Sequence, residues 1–246
     1  MLPKTVFITG ASSGLGRGLA LHYALNGATV HAAARRQDEL ANLAAEAPKG
    51  TIVPVPLDVQ DHDALVAAIE AAGDLDLIIA NAGVGQPTSA RKMDWKVVRK
   101  IMDVNVTSAC VTIAAALPRM VARDSGHVVA VSSLAAFRGM PGNASYCASK
   151  AALHTWMEGV RVDLAKTNVR ATTIYPGFVR TEMTARNKYR MPFLMDLDDA
   201  VQVMAKGLDR GDKTIAYPLP MVAITRTLGA LPGSVYETIA SRVRMF

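Results

Sequence analysis

The sequence predicts a single α/β domain built on a doubly wound, mostly parallel sheet of seven strands, and three observations carry that expectation. Short β-branched apolar runs alternate with longer Ala- and Leu-rich stretches of helical period almost from end to end. The connections between them are short, as parallel strands joined through helices on both faces require. Half of the 246 residues are apolar, enough to fill the core of such a sheet.

Taken in order, the strand-like runs are Thr5–Thr9, Thr29–Ala33, Thr51–Pro56, Leu75–Ala80, His127–Ser132, Arg170–Tyr175 and Thr214–Tyr217. Helical patterns fall between them at Leu15–Leu25, Gln37–Ala47, Asp61–Ala72, Trp95–Met120, Ala144–Lys166 and Asp198–Arg210. No Pro/Ser-rich linker, low-complexity run or solenoid repeat breaks the alternation, so one domain over residues 1–246 is expected. Two stretches leave the rhythm, residues 178–197 and residues 218–246.

Composition narrows the function classes. The net charge is +6, but its Lys and Arg residues are dispersed, which argues against a nucleic-acid surface and suits a small anionic ligand. Cys110 and Cys147 have no metal-ligand spacing, so no structural metal and a reducing compartment are expected. The opening MLPKTVFITG goes straight into strand-like sequence without the features of a secretory signal. No apolar run approaches the ~18–20 residues of a membrane span. A cytoplasmic protein is the expectation.

The first strand runs into TGASSGLG, with Gly10, Gly14 and Gly16 at the turn and a helix behind it. Glycines there allow close approach of a pyrophosphate, and the N–H groups and dipole of the helix N-terminus stabilise its charge. The second strand ends AAARRQDEL, placing Ala34 where a ribose-binding carboxylate could stand, with Arg35 and Arg36 next. An arginine pairs with a 2′-phosphate that a carboxylate would repel, so NADP(H) is favoured over NAD(H). Ser13 offers the same phosphate a hydroxyl.

Further along, LDV (Leu57–Val59), NAG (Asn81–Gly83), VNV around Asn105, VSS ending at Ser133, YCASK with Tyr146 and Lys150, and YPGFVRT occur in fixed order, Ser133 thirteen residues before Tyr146. With the glycine loop, these motifs resemble those of the classical short-chain dehydrogenases/reductases over roughly Thr5 to Thr181. The resemblance implies a Rossmann-type fold and an oxidoreductase passing hydride between a nicotinamide cofactor and a carbonyl or secondary alcohol. It implies catalytic roles for Asn105, Ser133, Tyr146 and Lys150. It places the cofactor against Gly10, Ser12, Ser13, Gly14, Leu15, Gly16, Arg35, Arg36, Asp58, Val59, Asn81, Ala82, Gly83, Tyr146, Lys150, Pro176, Gly177, Val179 and Thr181. By the same resemblance Lys150 also binds the nicotinamide ribose, and Asn105 supports a water-linked proton relay.

The residues suggest the chemistry themselves. Tyr146 and Lys150 are i and i+4, hence on one helix face, where an ammonium stabilises phenolate. A free phenol titrates near ~10, so unaided it is a poor base at neutral pH. Ser133 at a strand end could hydrogen-bond the reacting oxygen. His127 and His154 lack acidic or cysteine partners at useful spacing, and Cys147 should point away from Tyr146, so all three are expected to pack.

The resemblance also implies a substrate lid after YPG, over residues 178–197. They join apolar Phe178, Met183, Met191, Phe193, Leu194 and Met195 to basic Arg180, Arg186, Lys188 and Arg190, which suits an apolar, acyl or lipid-like substrate, with Phe137 and Met140 as further lining. In the tail, Met221, Ile224, Leu228 and Leu231 share one helix side, and Val235, Ile239 and Val243 another, with Arg242 and Arg244 beside them. Such basic amphipathic helices could cover the site rim, join a homodimer or homotetramer, or lie on a membrane surface. The rival readings are an NAD-linked alcohol dehydrogenase of the same fold and a non-catalytic dinucleotide-binding sensor or scaffold.

Overall fold

The computed structural model describes residues 2–185 and 190–242; Arg186, Lys188, Val243 and Arg244 lie outside the described residues. Strands β1 (Thr5–Thr9), β2 (Thr29–Ala34), β3 (Ile52–Pro56), β4 (Leu77–Ala80), β5 (His127–Val131), β6 (Arg170–Pro176) and β7 (Thr214–Tyr217) form one sheet in the order β3-β2-β1-β4-β5-β6-β7. Every neighbouring pair is parallel, so the expected mostly parallel sheet is wholly so among the described residues. The helices are α1 (Gly14–Leu25), α2 (Gln37–Glu46), α3 (His62–Ala71), α4 (Trp95–Met102), α5 (Ser108–Ala122), α6 (Ala144–Asp163), α7 (Glu182–Ala185), α8 (Leu197–Arg210), α9 (Leu219–Ala230) and α10 (Gly233–Ala240).

Parallel pairing buries both faces of the sheet, and the continuous apolar strands match that demand. On one face α1, α2 and α8 contribute Leu19, Tyr23, Leu40, Leu43 and Met204. On the other α3, α5 and α6 contribute Leu65, Ile69, Ile113, Met120, Leu153 and Met157. Each fully buried aliphatic side chain supplies about 1.5–3 kcal/mol of transfer free energy, which is why single helices of modest propensity stay docked. β3 carries Pro54 and Pro56, which cannot donate to a second neighbour, and it is accordingly an edge strand. The order reverses between β1 and β4, opening a crevice at the carboxyl ends of the strands.

Three boundaries differ from expectation for identifiable reasons. The helix expected over Trp95–Met120 is divided by a π-helical turn, Asp103–Thr107, because the Asn105 side chain inside it is tied to the chain after β4. The strand expected from Leu75 starts at Leu77, since the Asp76 carboxylate is used to accept the backbone N–H groups of Lys4 and Thr5. The long helix ends at Asp163 and tightens into a 3₁₀ turn over Leu164–Lys166. The continuous run Trp95–Ala122 is long and apolar enough to cross a membrane, contrary to the expectation that nothing would be, because small and moderately apolar residues raise its hydropathy. Its inner side, with Ile101, Val104, Ile113, Ala116 and Met120, is buried against the sheet, the pattern of a core helix.

Candidate active site

At the end of β1 the chain turns through Gly10, at φ +69°, and enters α1 at Gly14, at φ +55°, a backbone region that favours glycine. Packing alone demands Gly16: a Cβ there would stand 2.3 Å from Asn81 Nδ2 and 2.5 Å from the Gly10 carbonyl oxygen. Asn81 Nδ2 donates to the Thr9 and Gly10 carbonyls, while the Thr9 hydroxyl accepts from the N–H groups of Asn81 and Ala82. The loop glycines thus serve the β1–β4 junction as much as the close approach of a ligand. Ser13 occupies the N-cap position of α1 without capping it, and no acidic side chain lies in the first turn. The helix N-terminus is therefore left with donors and no competing anion, which fits the pyrophosphate of a dinucleotide.

The adenosine end is framed by charges. Arg35 Nη1 lies 3.7 Å from Asp58 Oδ2, and both side chains are exposed. Arg36 donates from Nε to Ser12 Oγ at 3.2 Å and from Nη1 to both carboxylate oxygens of Glu182 at 3.0 and 3.3 Å. Val59 is buried beneath this edge.

The residues expected to be catalytic come from three elements. Asn105 is wholly buried; its Oδ1 accepts the Val84 N–H at 2.8 Å, and its Nδ2 donates to the Val84 carbonyl and to Ser149 Oγ, both at 3.0 Å. Ser149 in turn donates to the Tyr146 carbonyl at 2.7 Å. The Lys150 side chain is buried, its Nζ donating to the Val131 carbonyl at 2.8 Å and lying 5.8 Å from the centre of the Tyr146 ring. Burial pulls the ammonium down to a pKa of about 8, which leaves it mostly charged at neutral pH. A Cβ on Gly83 would stand 3.5 Å from both Lys150 Nζ and Asn105 Oδ1, so Gly83 marks the point where those groups meet.

Ser133 lies two residues beyond β5, at the N-cap of a 3₁₀ turn over Leu134–Ala136. Its Oγ accepts from the Ala135 N–H at 3.2 Å and donates to the Pro176 carbonyl at a long 3.4 Å. Such a bond is cheaply exchanged for a better acceptor. Its neighbour Ser132 donates to the Lys150 carbonyl at 2.9 Å, locking the strand end to α6. Ser132, Ser149, Thr9 and Glu182 were not singled out in the sequence, although Thr9, Ser132 and Ser149 lie inside TGASSGLG, VSS and YCASK; Glu182, just after YPGFVRT, carries no spacing signal.

The segment after β6 is pinned at its base. Gly177 leaves no room for a side chain, a Cβ standing 2.9 Å from Pro218 Cδ, and its N–H donates to the Tyr217 carbonyl. Phe178 and Arg180 exchange backbone bonds with Met195, Val179 is buried, and Arg180 pairs with Asp196 at 2.9 Å. Of the expected lid cations, Arg180 thus serves this neck. Thr181 and Thr184 bond each other and start α7, and a Cβ on Gly14 would touch Thr181 Cγ2 at 3.3 Å, so α7 abuts the glycine loop. Met183 Sδ and the Tyr146 ring both lie about 3.8 Å from where a Gly85 Cβ would be, so both border Gly85. Phe193 is half exposed at φ +54°, a strained conformation for an aromatic residue.

Phe137, expected to line the substrate pocket, is partly buried. Its ring stacks on Tyr175 at 5.2 Å and meets His154 edge-on, with the Arg226 guanidinium 5.5 Å above. Met140 donates its N–H to Cys147 Sγ, and burial raises the Cys147 thiol pKa. His154 Nδ1 bonds Tyr175 Oη at 2.6 Å, while buried His127 bonds Thr172 and is pushed down to a pKa of about 3 by desolvation and Arg170. Both histidines bond within the fold, but His154 Nε2 also lies 3.6 Å from Glu158 Oε2, an acidic partner four residues on that the sequence analysis did not expect. Met221 and Val222 of the tail pack on Leu134, Ala136 and Tyr175, and Arg138 stacks on Tyr236. The tail therefore covers the loop between Ser133 and Tyr146, while Leu219, Ile224, Val235 and Ile239 stay exposed. Among the described residues no group of His, Cys, Asp and Glu could hold a metal.

The family model for short chain dehydrogenase matches residues 4–191. An uncharacterised oxidoreductase of Myxococcus xanthus is 51% identical over 98% of both chains. A short chain dehydrogenase from Burkholderia cenocepacia, solved with NADP, superposes with a TM-score of 0.83 at 29% identity, covering 96% of each chain. The 3-ketoacyl-(acyl-carrier-protein) reductase of Brucella melitensis, solved with NADH, gives 0.78 at 26% identity, over 87% of this chain and 94% of its own.

Proposed function

The chain belongs to the short-chain dehydrogenase/reductase family of oxidoreductases, and from that premise we propose that it transfers hydride between NADP(H) and an apolar, acyl or lipid-like carbonyl or secondary alcohol, with Tyr146 as the acid/base. The observation that carries the reading is the buried Lys150 ammonium beside the Tyr146 ring, held there by the Val131 carbonyl. When bound, the nicotinamide supplies or accepts the hydride. Tyr146 gives its phenolic proton to the substrate oxygen in reduction and takes it back in oxidation. Lys150 stabilises the phenolate, because a cation beside an anionic oxygen favours the charged form. Ser133 exchanges its long bond to Pro176 for one to the substrate oxygen and so opposes the charge developing there. Asn105, through Ser149 and Val84, holds α6 and the loop after β4 in register for this.

The cofactor residues fit. Arg35 and Arg36 follow β2 where a 2′-phosphate is read, and no carboxylate of β2 opposes it. The Burkholderia cenocepacia structure holds NADP and the Brucella melitensis one NADH, so the preference rests on the two arginines. One observation favours the NAD-linked alternative: each arginine already faces a carboxylate, Asp58 or Glu182, which subtracts charge from the phosphate site. For the substrate, Met183 and the Tyr146 ring both border Gly85, where a thioether offers an adaptable apolar surface, in keeping with the acyl reductase among the similar structures.

Oxidation of NADPH and NADH with ketones and 3-oxoacyl thioesters of increasing chain length tests all three parts. We expect NADPH to be preferred and longer chains to be better substrates. Tyr146→Phe should lose about 10²–10⁴-fold in rate while NADPH still binds. Equal rates in that variant would remove Tyr146 from the mechanism.

A further inference from the structure

The ion pair between Arg36 and Glu182 joins two segments far apart in sequence. Glu182 opens α7, and Arg36 leads into α2 after β2. With the contact of Thr181 on Gly14 and the bond from Arg36 Nε to Ser12, the pair closes a ring: glycine loop, Thr181, Glu182, Arg36, glycine loop. The dinucleotide's phosphates must enter within that ring, since the α1 N-terminus and the end of β2 are both part of it.

A guanidinium has five donors in a fixed fork and binds a phosphate through two of them side by side. On Arg36, Nε is directed at Ser12, and Nη1 is shared between both Glu182 oxygens. The two side-by-side forks of a guanidinium are Nε with Nη2 and Nη1 with Nη2, so a phosphate gripping Arg36 meets either Ser12 or Glu182, and the Glu182 bonds are the more exposed ones. A cofactor that lacks the phosphate leaves the pair intact. Resting on the NADP(H) reading above, we propose that Glu182 is a specificity-determining residue that competes with the 2′-phosphate of NADP(H) for Arg36. The carboxylate holds the preference for NADP(H) below what the two arginines alone would give. The same competition links the phosphate to α7, because whatever displaces Glu182 also releases one tie between α7 and the cofactor edge.

Equilibrium dissociation constants of NADPH and NADH, read from the fluorescence of the reduced cofactors, test this in wild type, Glu182→Gln, Arg36→Ala and the double variant. We expect Glu182→Gln to raise the ratio Kd(NADH)/Kd(NADPH) about two- to fivefold, the range an exposed ion pair commands. In the Arg36→Ala background the same change should leave the ratio unmoved. An unchanged or lowered ratio in Glu182→Gln overturns the proposal. So does an equal rise with and without Arg36, which would mean repulsion through space. The wild-type ratio judges the NADP(H) reading separately: a value below one sinks that reading, while an Arg36-dependent shift on changing Glu182 still upholds the competition.

Discussion

At Lys150 the fold bears a cost, the burial of an ammonium, that the proposed chemistry would use. An ammonium buried as this one is loses its hydration, and the Val131 carbonyl replaces only part of it. Its pKa of about 8 lies below the 10.5 of a solvated lysine, so between those values the unfolded chain binds more protons than the folded one. Stability is therefore diminished in full below pH 8 and recovers as pH rises to 10.5. The difference in unfolding free energy between wild type and Lys150→Met should shift in favour of wild type across that window, by on the order of 3 kcal/mol. Denaturant unfolding at a series of pH values measures it, and a flat difference would mean the ammonium is not desolvated in the native state. The i, i+4 spacing of Tyr146 and Lys150 was legible in the sequence. The burial behind it was not, because it depends on Gly83, Val131 and Asn105, which come from other elements.

At the scale of elements, the π-helical turn at Asp103–Thr107 is the least expected feature and the most constrained. Asn105 satisfies both the N–H and the carbonyl of Val84 as a strand partner would, four residues beyond the end of β4. Asn105→Ala would leave those two groups and Ser149 Oγ short of partners in a buried setting, at about 1–3 kcal/mol for each group left unsatisfied. The expected outcome is a melting temperature lowered by several degrees, together with a fall in turnover, since Ser149 also holds the carbonyl of Tyr146. A variant that melts with wild type would show that water replaces the amide without penalty. Period and apolar content predicted helix over this whole run, and both are blind to an insertion enforced by one side chain reaching another element.

For the whole molecule, the tail decides how the site is walled. Removing residues 219–246 would strip Met221 and Val222 from Leu134, Ala136 and Tyr175, and Arg226 from Phe137. The two large cores and the cofactor edge involve none of these residues. The truncated protein should therefore fold and bind NADPH with little change, while kcat/KM for carbonyl substrates falls by tenfold or more as the loop between Ser133 and Tyr146 loses its support. Loss of cofactor binding along with turnover would instead make the tail part of the global fold.

The sequence by itself determined the strand-helix alternation, the parallel sheet, the glycine loop and the Tyr146/Lys150 pair. Each is a local pattern, set by side-chain period, turn chemistry or spacing along one element. Only the tertiary structure decided that Gly16 is required by Asn81, that Phe137 faces Tyr175 and the tail, and that Arg36 is held by Glu182. These depend on which distant segments the sheet brings together, and no periodicity along the chain encodes a meeting between residues 36 and 182.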